Sequence, residues 1–296
     1  MAVVRAGHDV RLLVRRPERV GLALAPFGIE VAEVVTGDVL EAGSVQAAPK
    51  GCDAVINAAA VYSLDRREAR NTLATNAEAA EIVLGAAARA GLDPIVQLSS
   101  YVALLPSRDI LGPDTPIGIG APAYPRSKAQ ADAIARRYQS EGASVVISYP
   151  GAVAGPHHSY FADTAFTIAM ILRNRTPFAV PGGWPVADVS YVATAHAAML
   201  GPGHGPRRYL LGGHYSKRSL EFCAQPGVVL VSDLAAVPHV VHVRSSVLVH
   251  RSSSGAHAKT RDHAGPPRRG IIGDSRSTCG HAPAVASPSA VSTVSS

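Results

Sequence analysis

Ile95-Val-Gln-Leu-Ser-Ser100, Ala121-Pro-Ala-Tyr-Pro-Arg-Ser-Lys-Ala-Gln130 and Val145-Val-Ile-Ser-Tyr-Pro150 are the stretches on which the fold turns. The first and third are short and apolar, as strands buried on both faces of a parallel sheet are. The middle stretch opens a helical pattern, Tyr124–Ser140, that stops at Glu141-Gly142. Strand, helix, strand is the unit of a parallel sheet with right-handed crossovers. The alternation extends upstream. Val10–Val14, Ile29–Val35 and Ala54–Asn57 read as further strands, and Ala69–Ala90, stopped by Gly91, as a long helix. The expected class is α/β with a doubly wound parallel sheet.

Tyr124 and Lys128 stand four residues apart, which on a helix puts both side chains on one face. An ammonium beside a phenol favours the phenolate, so the spacing predicts a lowered pKa for Tyr124 and proton exchange near neutral pH.

Composition narrows the function classes. The chain has 296 residues, 5% aromatics and a formal charge of +6. Seven basic and three acidic residues lie between Cys223 and Ser296, so +4 of that charge belongs to the tail. No aromatic residue there could stack on bases, which argues against a nucleic-acid partner. No run approaches the length of a membrane span, and no signal-peptide pattern follows Met1, so no membrane association and a cytoplasmic location are expected. Cys52, Cys223 and Cys279 have neither metal-ligand spacing nor an even disulfide framework. His157-His158 reads as polar loop, because adjacent histidines point different ways and Asp163 completes no ligand spacing. No metal is expected.

Two compositional regimes meet near residue 222. After Phe222 the chain has no Phe, Tyr, Trp or Met, and it holds thirteen serines and six of the twelve histidines. From about Ser252 onward it can hardly build a core and is expected to be disordered. Two origins fit this tail: a natural low-complexity segment, or out-of-frame translation of a GC-rich gene, which the abrupt change favours. The expected organisation is an α/β region over 1–150, a further stretch over 151–222 and a tail over 223–296.

Taken together and in order, these motifs resemble the extended short-chain dehydrogenase/reductase family, the NAD-dependent epimerases/dehydratases, and most of all its dihydroflavonol-reductase-like branch. The resemblance runs from residue 1 to about 222 and implies a Rossmann-like fold, a dinucleotide-binding domain over 1–150 with a partial substrate domain over 151–222, and an enzyme using NADP or NAD. Arg11-Leu-Leu-Val-Arg-Arg-Pro17 looks like the family's second strand, whose end meets the adenosine ribose. Arg15 and Arg16 there suit the 2′-phosphate of NADP, unless they are simply solvated at a strand end. Thr36-Gly-Asp38-Val39 is similar to the turn that meets the adenine, though Gly-Asp is also a common turn. Asn57-Ala58-Ala59-Ala60 matches the small-residue loop that lets the backbone approach the cofactor.

By the same resemblance Ser100 polarises the substrate oxygen, with Ser99 the alternative if the strand ends one residue earlier. Tyr124 is the proton donor, Lys128 lowers its pKa and holds the nicotinamide ribose, and Asn76 joins a water relay. Tyr149-Pro150-Gly-Ala-Val153 resembles the loop after the sixth strand, with Val153 near the nicotinamide amide and Tyr149 where the family has arginine. The implied substrate is a small carbonyl or alcohol compound, and helices bearing Asn76 and Tyr124 are where such enzymes pair as homodimers. A sugar-nucleotide epimerase or dehydratase and a non-catalytic member of the family stay open beside the reductase reading.

One element of the pattern has no counterpart. The family opens with a strand and a Gly-x-x-Gly-x-x-Gly turn that seats the pyrophosphate on a helix N-terminus. Here Ala2-Val-Val-Arg-Ala-Gly-His-Asp9 resembles the second half of the helix that follows that turn. The sheet is therefore expected to lack its central first strand, leaving two neighbours with unpaired edges, and the chain to be unstable and poorly active.

Overall fold

Alternating apolar residues set the main sheet. The computed structural model describes residues 1–63, 66–120, 122–156, 183–216 and 247–251. Seven strands pair in the order β2-β1-β10-β3-β4-β5-β8: β1 is Asp9–Val14, β2 Glu33–Thr36, β3 Ala54–Asn57, β4 Ile95–Leu98, β5 Val145–Pro150, β8 Arg207–Leu211 and β10 Val247–Arg251. Every residue of β3 and β5 is buried. Val55, Ile95, Val145 and Ile147 enter one core layer, while Ala54, Ile56, Val96 and Val146 enter the other. This period-two split requires cover on both faces.

Helix α4 (Ala69–Arg89) and helix α5 (Ala123–Ser140) cover the first face through Leu84, Ala131 and Ala135. Helix α1 (Ala2–Arg5) and helix α6 (Val189–Ala198) cover the second through Val3, Val192 and Ala197. Short helices α2 (Val20–Leu24) and α3 (Ala42–Ala47) complete the crossovers. Helix α4 ends where expected: Gly91 adopts φ +67°, and the Leu92 N–H returns to Ala87 O at 3.1 Å. The strand expected over Ile29–Val35 begins only at Glu33, where pairing with β1 begins (Arg11 opposite Glu33). A second sheet, of β6 (Ala152–Ala154), β7 (Trp184–Asp188) and β9 (His214–Ser216), forms within the stretch read as the substrate domain.

The central gap is not open. β10 fills it, antiparallel to β1 (Leu12 opposite Leu248) and to β3 (Ile56 opposite Leu248). The expectation of two unpaired edges is thus corrected, and the strand that fills the gap comes from the tail read over 223–296, just before the stretch from Ser252 that is expected to be disordered. A slot flanked by two strands offers backbone donors and acceptors on both sides, and the Val-Leu-Val run provides a strand for it. Residues 1–255 cluster as one compact unit. The tail from Ser252, His157-His158 and Asp163 lie outside the described residues.

Candidate active site

The carboxyl end of β4 meets one face of α5 in consecutive contacts. The Lys128 ammonium donates to Leu98 O at 3.2 Å. The Ser99 hydroxyl is buried and faces the Asp132 carboxylate. The Ser100 side chain faces the Tyr124 phenol, and its Oγ lies 3.5 Å from the Val102 N–H. Of the two serines, then, it is Ser100 that joins Tyr124, while Ser99 is turned toward the interior. Lys128 Nζ lies 5.9 Å from the centroid of the Tyr124 ring. The structure places Ser100, Tyr124 and Lys128 side by side at the end of β4.

The pKa directions differ from the expected ones. The Tyr124 phenol is pushed up, first by burial and then by the neighbouring Tyr62 phenol, with Ser100 pulling the other way. Lys128 is drawn down to about 8 by burial. The predicted lowering of Tyr124 by Lys128 does not occur. Its ammonium is engaged with a backbone carbonyl rather than with the phenol, and desolvation outweighs the attraction.

Asn76 is buried one helix away, and all its polar capacity goes to neighbours. Its Oδ1 accepts the Val61 N–H at 2.6 Å, and its Nδ2 donates to Val61 O and to Ser127 Oγ, each at 2.9 Å. Ser127 Oγ in turn donates to Tyr124 O at 2.8 Å. Both amide hydrogens are engaged, and the side chain forms a clasp joining the loop after β3 to the first turn of α5.

The residues expected to hold the cofactor gather at the carboxyl edge of the sheet. Arg15, exposed at the end of β1, forms a 3.8 Å ion pair with Asp38 after β2. Asp38 Oδ1 also accepts the Leu40 N–H at 3.0 Å, closing a turn that packs Val39 against the first core layer. Arg16 is exposed beside it. After β3, Ala58, Ala59 and Ala60 keep the loop low, with the Ala59 N–H on Asn57 Oδ1 at 3.2 Å. Pro150 closes β5, and Val153 in β6 packs on the second layer. Ligands of open α/β sheets bind along this edge. The described residues suit both ends of a dinucleotide: a cationic rim with a turn acid for the adenosine, and small residues beside Tyr124 and Lys128 for the nicotinamide. Between them lies the amino end of β10, where Val247 faces Asn57, in place of a strand-to-helix turn.

Other members of the site were not anticipated. Tyr62 packs edge-on against Tyr124, ring centroids 4.4 Å apart. Asp132, fully buried, accepts from Arg136 Nε at 3.0 Å and from Tyr149 Oη at 3.3 Å. The signal for it lay in the sequence: Tyr124, Lys128, Asp132 and Arg136 recur every fourth residue along one stripe of α5. At position 149, where the resemblance implies arginine, the cation comes instead from Arg136 on the helix.

The sequence pattern of the NAD dependent epimerase/dehydratase family matches residues 2–212. A candidate dihydroflavonol 4-reductase of Synechocystis sp. is 28% identical over 200 residues, covering 66% of this chain and 56% of the relative. A 4-hydroxy-2-methyl-3-oxo-4-farnesyl-3,4-dihydroquinoline-1-oxide ketoreductase of Stigmatella aurantiaca is 29% identical over 212 residues, covering 68% of this chain and 60% of the relative. The matches thus span little more than half the length of these relatives. Among solved structures, UDP-glucuronic acid 4-epimerase from Bacillus cereus, in complex with UDP-glucuronic acid and NAD, aligns with TM-score 0.62 and 14% identity over 75% of this chain and 76% of its own. The dTDP-glucose 4,6-dehydratase from Streptomyces venezuelae, with NAD bound, aligns with TM-score 0.57 and 21% identity over 69% and 65%. These share the Rossmann-like fold. With more than two thirds of its length matched in order, the chain belongs to the NAD dependent epimerase/dehydratase family, a family of NAD-dependent enzymes.

Proposed function

We propose that the chain reduces the carbonyl of a small organic substrate with NADPH, or runs the reverse oxidation. The observation that carries this is Tyr124 with Lys128 on the same helix face, the ammonium 5.9 Å from the ring centroid, and Ser100 facing the phenol. When bound, the nicotinamide supplies the hydride. Ser100 donates to the carbonyl oxygen and Tyr124 gives it a proton as it becomes an alcohol. Burial keeps the phenol protonated at neutral pH, and a protonated group is what reduction needs from an acid. Lys128, with a pKa near 8, stays cationic at neutral pH and stabilises the phenolate left after transfer. Asn76 keeps the first turn of α5 against the loop after β3.

Arg15 and Arg16 favour NADP over NAD, since no acidic residue at the end of β1 would accept from a ribose 2′-hydroxyl. A sugar-nucleotide epimerase or dehydratase is the second reading, supported by the fold shared with such enzymes. It requires NAD to outcompete NADP. Tyr124→Phe tests the first reading. With NADPH oxidation followed over a set of ketones and aldehydes, turnover falls roughly 10²–10⁴-fold. An unchanged rate would remove Tyr124 from the chemistry.

A further inference from the structure

Behind the reacting groups, one turn beyond Lys128, lies a charged cluster that proton transfer does not use. Asp132 and Tyr149 are both 0% exposed. The Asp132 carboxylate accepts from Arg136 Nε and from Tyr149 Oη. Arg136 Nη2 donates to Tyr149 Oη and to Thr115 O, each at 3.0 Å. The Ser99 hydroxyl lies buried on the β4 side, and neither it nor Asp132 Oδ1 has a hydrogen-bond partner among the described residues. Four segments meet here: the ends of β4 and β5, the helix that bears Tyr124 and Lys128, and the loop that leads into that helix. Thr115 itself closes a turn in that loop, its Oγ1 accepting the Gly112 N–H at 2.8 Å.

A buried charge pair is a poor source of stability, because desolvation consumes most of the attraction. It is a good source of position, since each partner tolerates few alternative geometries. The register matters here. Leu98, whose carbonyl takes the Lys128 ammonium, pairs with Ser148, the neighbour of Tyr149 in β5. A shift of α5 against the end of β5 therefore displaces the ammonium from Leu98 O and moves the first turn that carries Tyr124.

We propose that Asp132, Arg136 and Tyr149 form a positioning clamp, which fixes α5 and the loop leading into it against the end of β5, the neighbour of β4, and so holds Lys128 on Leu98 O and Tyr124 opposite Ser100. The clamp touches no reacting atom. Its relevance to catalysis rests on the reductase reading, but its existence does not.

The test is therefore made without substrate or cofactor. The chain has four lysines, Lys50, Lys128, Lys217 and Lys259, so a 13C-lysine NMR titration resolves each, with Lys128 assigned by Lys128→Arg. Arg136→Ala opens the clamp, lets Leu98 and water rearrange around the ammonium, and moves the Lys128 titration upward by about one unit or more. The exchange Arg136→Tyr with Tyr149→Arg restores a cation and a phenol around the same carboxylate and brings the titration back. A merely structural contact would lower the melting temperature and leave Lys128 where it was. The proposal is overturned if Lys128 titrates unchanged in folded Arg136→Ala, or if the exchange variant stays as displaced as the single one. Should Arg136→Ala not fold, Tyr149→Phe, which removes one hydroxyl at constant volume, decides by the same two outcomes: an upward move supports the clamp, and none overturns it.

Discussion

Lys128 is 6% exposed, and burial draws its pKa to about 8, against 10.5 in an ordinary lysine. Below pH 8 both folded and unfolded chains carry this charge, and the penalty of burying it is present in full. Between about 8 and 10.5 the unfolded chain binds more protons, so stability rises with pH and the penalty is relieved. Denaturant titrations of the wild type and Lys128→Met from pH 7 to 9.5 are expected to show the wild type gaining about 2 kcal/mol relative to the variant. A parallel dependence would mean the ammonium is solvated. The window stops short of pH 10 because the raised phenol of Tyr124 acts in the opposite sense there. At this scale the sequence reveals which residues meet but not what their meeting does. Spacing places Tyr124 and Lys128 on one face, whereas the directions of their pKa shifts depend on burial that no local pattern encodes. Asn76 shows the same limit. Its position was legible, yet its engagement with Val61 and Ser127 depends on a loop brought in by the tertiary fold.

Among the elements, α4 and β3 match their sequence patterns closely, since a Gly91 stop and the buried Ala-Val-Ile run before Asn57 leave little choice. β10 was illegible for the opposite reason. Val247-Leu-Val-His-Arg251 is a short run inside a Ser- and His-rich stretch, and what makes it a strand is the slot between β1 and β3. Long-range pairing of this kind overrides local composition. Val249 pairs with Arg11 on one side and Val55 on the other. Proline there removes a ladder donor from a strand with partners on both sides, and about 3 kcal/mol or more of stability is expected to go with it. The midpoint of urea unfolding checks this. An unchanged midpoint in Val249→Pro would show that the slot does not depend on β10.

Across the whole molecule, the two core layers and the parallel crossovers put every candidate group on one edge of the sheet. Arg15 and Asp38 stand at one end of that edge, Ala58–Ala60 with Tyr124 and Lys128 at the other. Family membership, the Ser100–Tyr124–Lys128 arrangement and the cationic rim all point to one ligand, a nicotinamide dinucleotide, even though β10 stands where a phosphate-binding turn is the rule. The most direct measurement is a fluorescence titration of the 296-residue chain with NADPH and with NADH, beside Lys128→Met. The account predicts saturable binding, tighter for NADPH than for NADH and weakened in the variant. A cooperatively folded chain that saturates with neither nucleotide would contradict it.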